Sequence, residues 1–84
     1  LHFNLGNLYR TQGRISEAVK AYKESIKFNS HWAMPHNHLG EVYLELGVLD
    51  KAEAEFTAAI EIDPENELAR RILLLLTSTS RKSQ

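Results

Sequence analysis

His31, His36 and His38 crowd one short stretch beside Trp32, and imidazoles at that density could hold a transition metal. Their spacing argues otherwise. His36 and His38 are two residues apart, so a helix would turn them about 200° from each other. Neither stands in an H-E-x-x-H arrangement, and no metal site is expected. Glu41 and Glu45, at i and i+4, place two carboxylates on one helix face, the residue types of a general acid–base pair. Ser, His and Asp all occur, but no G-x-S-x-G, P-loop or dinucleotide-binding glycine pattern organises them. The chain is therefore read as non-catalytic and without a cofactor. Arg70-Arg71 are flanked by Glu65 and Glu67, which nearly cancel them, and Arg81-Lys82 is too short for a phosphate-binding patch. Nucleic acid is not an expected partner.

The bulk composition agrees. With 84 residues the chain makes one small unit with a limited core. Hydrophobic residues at 43% and charged residues at 25% suit a folded protein and argue against disorder. A formal net charge of −1 offers no field to recruit nucleic acid or an anionic membrane. The longest apolar run, Ile72 to Leu76, is far short of the roughly 20 residues needed to span a bilayer. Without cysteine there is no disulfide and no thiolate chemistry. That is compatible with any compartment and mildly favours a reducing one such as the cytoplasm. The chain begins at Leu1 inside a helical pattern and reads as a piece of something longer, so its localisation is open.

The elements that position these residues follow from a repeat. His2, Leu5, Gly6, Tyr9, Gly13, Ala18 and Ile26 recur 34 positions later as His36, Leu39, Gly40, Tyr43, Gly47, Ala52 and Ile60. A fixed period of this length marks a solenoid. Within each unit the spacing is helical: Leu5, Leu8 and Tyr9 form one stripe, Ala18, Tyr22, Ser25 and Ile26 another, mirrored by Ala52, Phe56, Ala59 and Ile60. The pattern predicts helices over about 2–12, 16–28, 34–46, 50–62 and 65–77, followed by a polar tail. Gly13 and Gly47 are placed to end the first helix of each unit in a left-handed conformation. Ser16 and Asp50 are placed to cap the second, Asp50 in a capping box with Glu53. Asp63-Pro64 would open the last helix, and Pro35 sits in another opening turn. Gly6 and Gly40 lie mid-helix, where glycine costs about 1 kcal/mol relative to alanine. The repeated register implies close approach of two helix backbones near Ala18 and Ala52, with Tyr22 and Phe56 beside them.

Leu5, Gly6, Tyr9, Gly13 and Ala18, with Tyr22, and then Leu39, Gly40, Tyr43, Gly47, Ala52, Phe56 and Pro64, resemble the tetratricopeptide repeat pattern. The resemblance implies an all-α, right-handed superhelix. Two helical hairpins, at 1–32 and 33–66, would be followed by a partial third-repeat or capping helix at 67–77 and a tail at 78–84. His2 and His36 stand where the family has tryptophan and are read as flat packing rings, with His31 and His38 as turn or surface residues. Leu74 replaces the third unit's glycine.

The resemblance also implies the function: a protein–protein interaction module that binds a peptide or protein in a concave groove lined by the first helix of each unit. By register the groove residues are Phe3, Asn7 and Arg10; Asn37, His38, Glu41 and Leu44, with Glu45 beside them; and Arg71 and Leu75. The alternative is a structural segment used for stacking or self-assembly. Leu1 and Phe3 at one end, and Leu74 and Leu75 at the other, make a homo-oligomer the expected consequence. Family members that grip acidic chaperone tails use lysine, asparagine and arginine at positions held here by Phe3, Asn7, His38, Leu68 and Ile72, of which only Asn7 agrees.

Overall fold

The computed structural model describes residues 2–82, with side chains described through residue 77. Leu1, and the side chains of Arg81 and Lys82, lie outside this description. The described chain is five helices: α1 (His2–Thr11), α2 (Ile15–Phe28), α3 (Met34–Leu46), α4 (Leu49–Ile62) and α5 (Glu67–Lys82). Each packs chiefly on the next in sequence, α1 on α2, α2 on α3, α3 on α4 and α4 on α5. This sequential packing makes an all-α solenoid.

The two hairpin turns show why α1 and α3 stop where they do. Gly13 and Gly47 both adopt φ +77°, the left-handed region that glycine enters without penalty. Gly13 N donates to Arg10 O at 3.0 Å and Arg14 N to Tyr9 O at 2.8 Å; Gly47 N donates to Leu44 O at 3.0 Å and Val48 N to Tyr43 O at 2.9 Å. This is the Schellman pattern, used twice.

It also corrects the expected caps. Only one residue separates each glycine from the next helix, so Arg14 and Val48 occupy the N-cap positions, and neither makes a side-chain cap. Ser16 and Asp50 fall inside the first turn, where the Asp50 carboxylate complements the helix dipole but closes no capping box. The opening of α5 is likewise moved. Asp63 Oδ1 accepts from Glu65 N at 3.2 Å, holding Pro64 in a turn, and Asn66 Oδ1 accepts from Ala69 N at 3.2 Å. Asn66, not Asp63, caps the helix. The helix then runs to Lys82, past the end expected near residue 77. The Ser/Thr-rich segment contains neither the proline nor the glycine that would stop it. Pro35 lies in the first turn of α3 as anticipated.

The core runs along the inside of the stack. Ala18, Tyr22, Leu39, Val42, Ala52, Phe56, Ala59 and Ala69 are fully buried. The small residues in this set let the helices approach, and Tyr22 and Phe56 fill the space. A Cβ added to Gly6 would lie 2.6 Å from the Tyr22 ring, and one added to Gly40 would lie 2.7 Å from the Phe56 ring. The mid-helix glycines therefore seat an aromatic ring rather than a second backbone. Burying a phenylalanine side chain stabilises by about 1.5–3 kcal/mol, which exceeds the lost helix propensity of about 1 kcal/mol.

Candidate functional site

The face presented by α1 and α3 carries side chains that join across the repeats. On α1, Phe3, Asn7 and Arg10 recur at i, i+4 and i+7, and on α3, His38, Glu41 and Glu45 recur at i, i+3 and i+7. Gly6 and Gly40 bind Tyr22 and Phe56 from the neighbouring faces of the same helices, which fixes how each helix is rotated.

At the N-terminal end of this face the contacts are aromatic. The Phe3 ring lies 4.8 Å from His38 in an edge-on arrangement and 4.7 Å from Trp32, tilted by 56°. His38 also meets Tyr22, at 5.7 Å. His38 Nδ1 is 3.1 Å from the Met34 carbonyl oxygen. A carbonyl only accepts, so this nitrogen carries the proton. His38 is half-buried and part of a ring cluster, unlike the surface histidine expected. Trp32 and Met34 remain 38% and 41% exposed. Trp32 belongs to this cluster although it lies in the turn between repeats, where helical register assigns no face.

Further along, the contacts are polar. The Tyr22 hydroxyl donates to Asn7 Oδ1. Arg10 reaches across from α1 to α3, with Nη1 3.1 Å from Glu41 Oε1 and Nη2 3.2 Å from Glu45 Oε1. Burial pulls the Arg10 guanidinium down, but hydrogen bonds to Glu45 and Glu41 outweigh it and raise its pKa above the ordinary value. Burial raises the Tyr22 hydroxyl above the usual phenol range, and nearby Arg10 opposes this only in part. Glu41 and Glu45, the carboxylates that could imitate an acid–base pair, are thus committed to a cation that links the two repeats.

Other expected site residues are placed differently. Leu44 is half-buried against the core. Asn37 is buried, at 6% exposure, and its Oδ1 has no hydrogen-bond partner among the described residues, so its side chain does not stand on the open face. Arg71 and Leu75 are exposed on α5, and Arg71 forms no ion pair with Glu41 or Glu45.

The two histidines at the repeated aromatic position have diverged. His2 stacks on Phe28 at 5.3 Å and 4°, as a flat packing ring would. His36 instead pairs its Nδ1 with Glu55 Oε1 at 2.7 Å, tying α3 to α4 by a polar contact. Among the described residues no three His, Cys, Asp or Glu side chains are grouped to hold a metal, and no helix is long and apolar enough to cross a membrane.

Two family models match the chain, TPR repeat over residues 6–47 and Tetratricopeptide repeat over residues 33–66. Heat shock protein STI1 of Saccharomyces cerevisiae is 34% identical over 83% of this chain and 12% of its own length. Protein O-mannosyl-transferase tmtc2 of Xenopus laevis is 35% identical over 96% of this chain and 10% of its own length. UDP-N-acetylglucosamine--peptide N-acetylglucosaminyltransferase of Giardia intestinalis is 30% identical over 80% of this chain and 4% of its own length. The chain thus spans about an eighth or less of each of these relatives.

Proposed function

This chain belongs to the tetratricopeptide repeat family, and we propose that its α1–α3 face, continued by α5, is a groove that receives a peptide or protein segment. Protein–protein interaction is the general role of such repeats, and the chain is an interaction module of that kind. The observation that supports the groove is the linkage of Phe3 to His38 and of Arg10 to Glu41 and Glu45 across successive repeats. It preorganises side chains that would otherwise be separately solvated, which lowers the ordering cost on binding. The transferase activity in the names of two relatives is assigned no residue here. This segment spans a tenth or less of those proteins, and its two clustered carboxylates are engaged by Arg10.

The test is to screen the chain against a library of unstructured ten-residue peptides and map each binder by amide chemical shifts. Perturbations centred on Phe3, Asn7, Arg10, His38 and Glu41 are expected. Perturbations centred on the outer surfaces of α2 and α4 would overturn the reading.

A second reading is favoured by one observation. Leu74 on α5 is 71% exposed, an apolar side chain that a second copy could cover. Self-association through this end is the alternative use of the chain.

A further inference from the structure

The α1–α3 face is not uniform: its two ends differ in chemistry. At one end the rings of Phe3, Trp32 and His38 come from α1, the inter-repeat turn and α3, and each is held by a neighbour within 5 Å. Trp32 and Met34 keep more than a third of their surface exposed there. Such a partly exposed aromatic surface suits contact with one bulky apolar side chain. At the other end a single guanidinium faces two carboxylates. Arg10 occupies Oε1 of both Glu41 and Glu45. Among the described residues no hydrogen bond or ion pair engages either Oε2, and Arg71 reaches neither carboxylate. The Glu45 side chain is 58% exposed. Among the described residues this end carries one negative charge in excess, and the Oε2 of each carboxylate is unengaged.

We propose that this face binds an extended peptide segment carrying a bulky aliphatic or aromatic residue and, about three residues away, an arginine or lysine. The inference rests on the groove reading above and names the chemistry of its occupant. The spacing comes from α3 itself. His38 and Glu45 are seven residues apart, about 10 Å along a helix axis at a rise of about 1.5 Å per residue. An extended chain covers that distance in about three residues at about 3.3 Å each. An incoming guanidinium would share the carboxylates with Arg10 by taking their Oε2 atoms, as planar bidentate donors do. An acidic side chain there would meet two carboxylates and a cation already satisfied, so the same geometry rejects it.

The test uses fluorescence anisotropy with end-blocked nonapeptides in a serine–alanine background: one with leucine and arginine three positions apart, one with the arginine replaced by glutamate, and one with the leucine replaced by serine. The leucine–arginine peptide should bind at least tenfold more tightly than either control, and its affinity should fall as salt rises from 50 to 500 mM, about the range over which screening of exposed charges becomes strong. Glu45→Gln should weaken it severalfold, and Glu45→Lys should transfer the preference to the glutamate peptide; circular dichroism confirms that both variants fold. If the glutamate peptide binds better to wild-type protein while still shifting α1 and α3 amides, the groove stands and this inference falls. If no peptide shifts those amides, or if a dimer buries the face before any peptide is added, both fall.

Discussion

The ring of Phe56 lies where a side chain on residue 40 would begin: a Cβ built on Gly40 meets Phe56 Cε2 and Cζ at 2.7 Å and Cε1 at 2.9 Å. Carbon atoms do not approach so closely, and Phe56 is fully buried with no room to swing away. Gly40→Leu should therefore destabilise by about 1–3 kcal/mol or more, despite better helix propensity. Combined with Phe56→Leu it should cost less than the two changes summed, because the same space is relieved. Urea melts of the four proteins measure the coupling. Additive effects would mean that Gly40 and Phe56 do not share that space.

Tyr22 joins the core to the candidate groove through its hydroxyl. Tyr22→Phe removes the bond to Asn7 and should destabilise by about 0.5–1.5 kcal/mol at neutral pH. Its pH dependence follows from the raised pKa of the hydroxyl. The unfolded tyrosine ionises near pH 10. The folded state favours the neutral phenol, so this contribution is fully present below about pH 10 and is lost as pH rises through the higher folded value. The stability gap between wild type and Tyr22→Phe should narrow above about pH 10, measured by melts from pH 7 to 11. A constant gap would show that the buried hydroxyl does not titrate with folding.

Some tetratricopeptide repeat proteins grip acidic chaperone tails, and this chain lacks the residues for it. A peptide ending in Glu-Glu-Val-Asp should not bind at micromolar concentration. Phe3, His38, Leu68 and Ile72 stand where the family's tail-binding members place lysine, asparagine and arginine, and the described cation nearest the groove, Arg10, is already paired with two carboxylates. Desolvating a terminal carboxylate without a cation is unfavourable. Isothermal titration decides it: saturable micromolar binding would refute the prediction.

Leu74 is 71% exposed and Leu68 50%, while Ala69 on the same helix is fully buried against the stack. Covering an exposed leucine contributes about 1.5–3 kcal/mol at full burial. The chain should show concentration-dependent association in sedimentation experiments at hundreds of micromolar, and Leu74→Glu should abolish it. A monomer of 9.6 kDa across that range would rule out this end as an interface.

The recurrence of seven residues after 34 positions determined the four helices of the two hairpins, their turns and the family, because each repeated residue type answers a local demand. Gly13 and Gly47 must take a left-handed backbone, and Ala18, Ala52, Tyr22 and Phe56 recur at core positions that the helical period identifies. Local demands are visible in sequence because they concern residues within a few positions of each other. The caps are not local in this sense, since nothing nearby tells Arg14 from Ser16 as the residue before a helix once the glycine turn is this tight. What only the tertiary structure decided are the contacts between residues far apart in the chain. Trp32, from a turn with no helical face, packs on Phe3; Arg10 finds Glu41 and Glu45 some 30 residues away; Asn37 is turned inward although its register places it with the groove. The physical reason is rotation. The period sets which side chains share a helix face, but the angle at which each face meets the next helix is set by packing, here by two aromatic rings lying against two glycines.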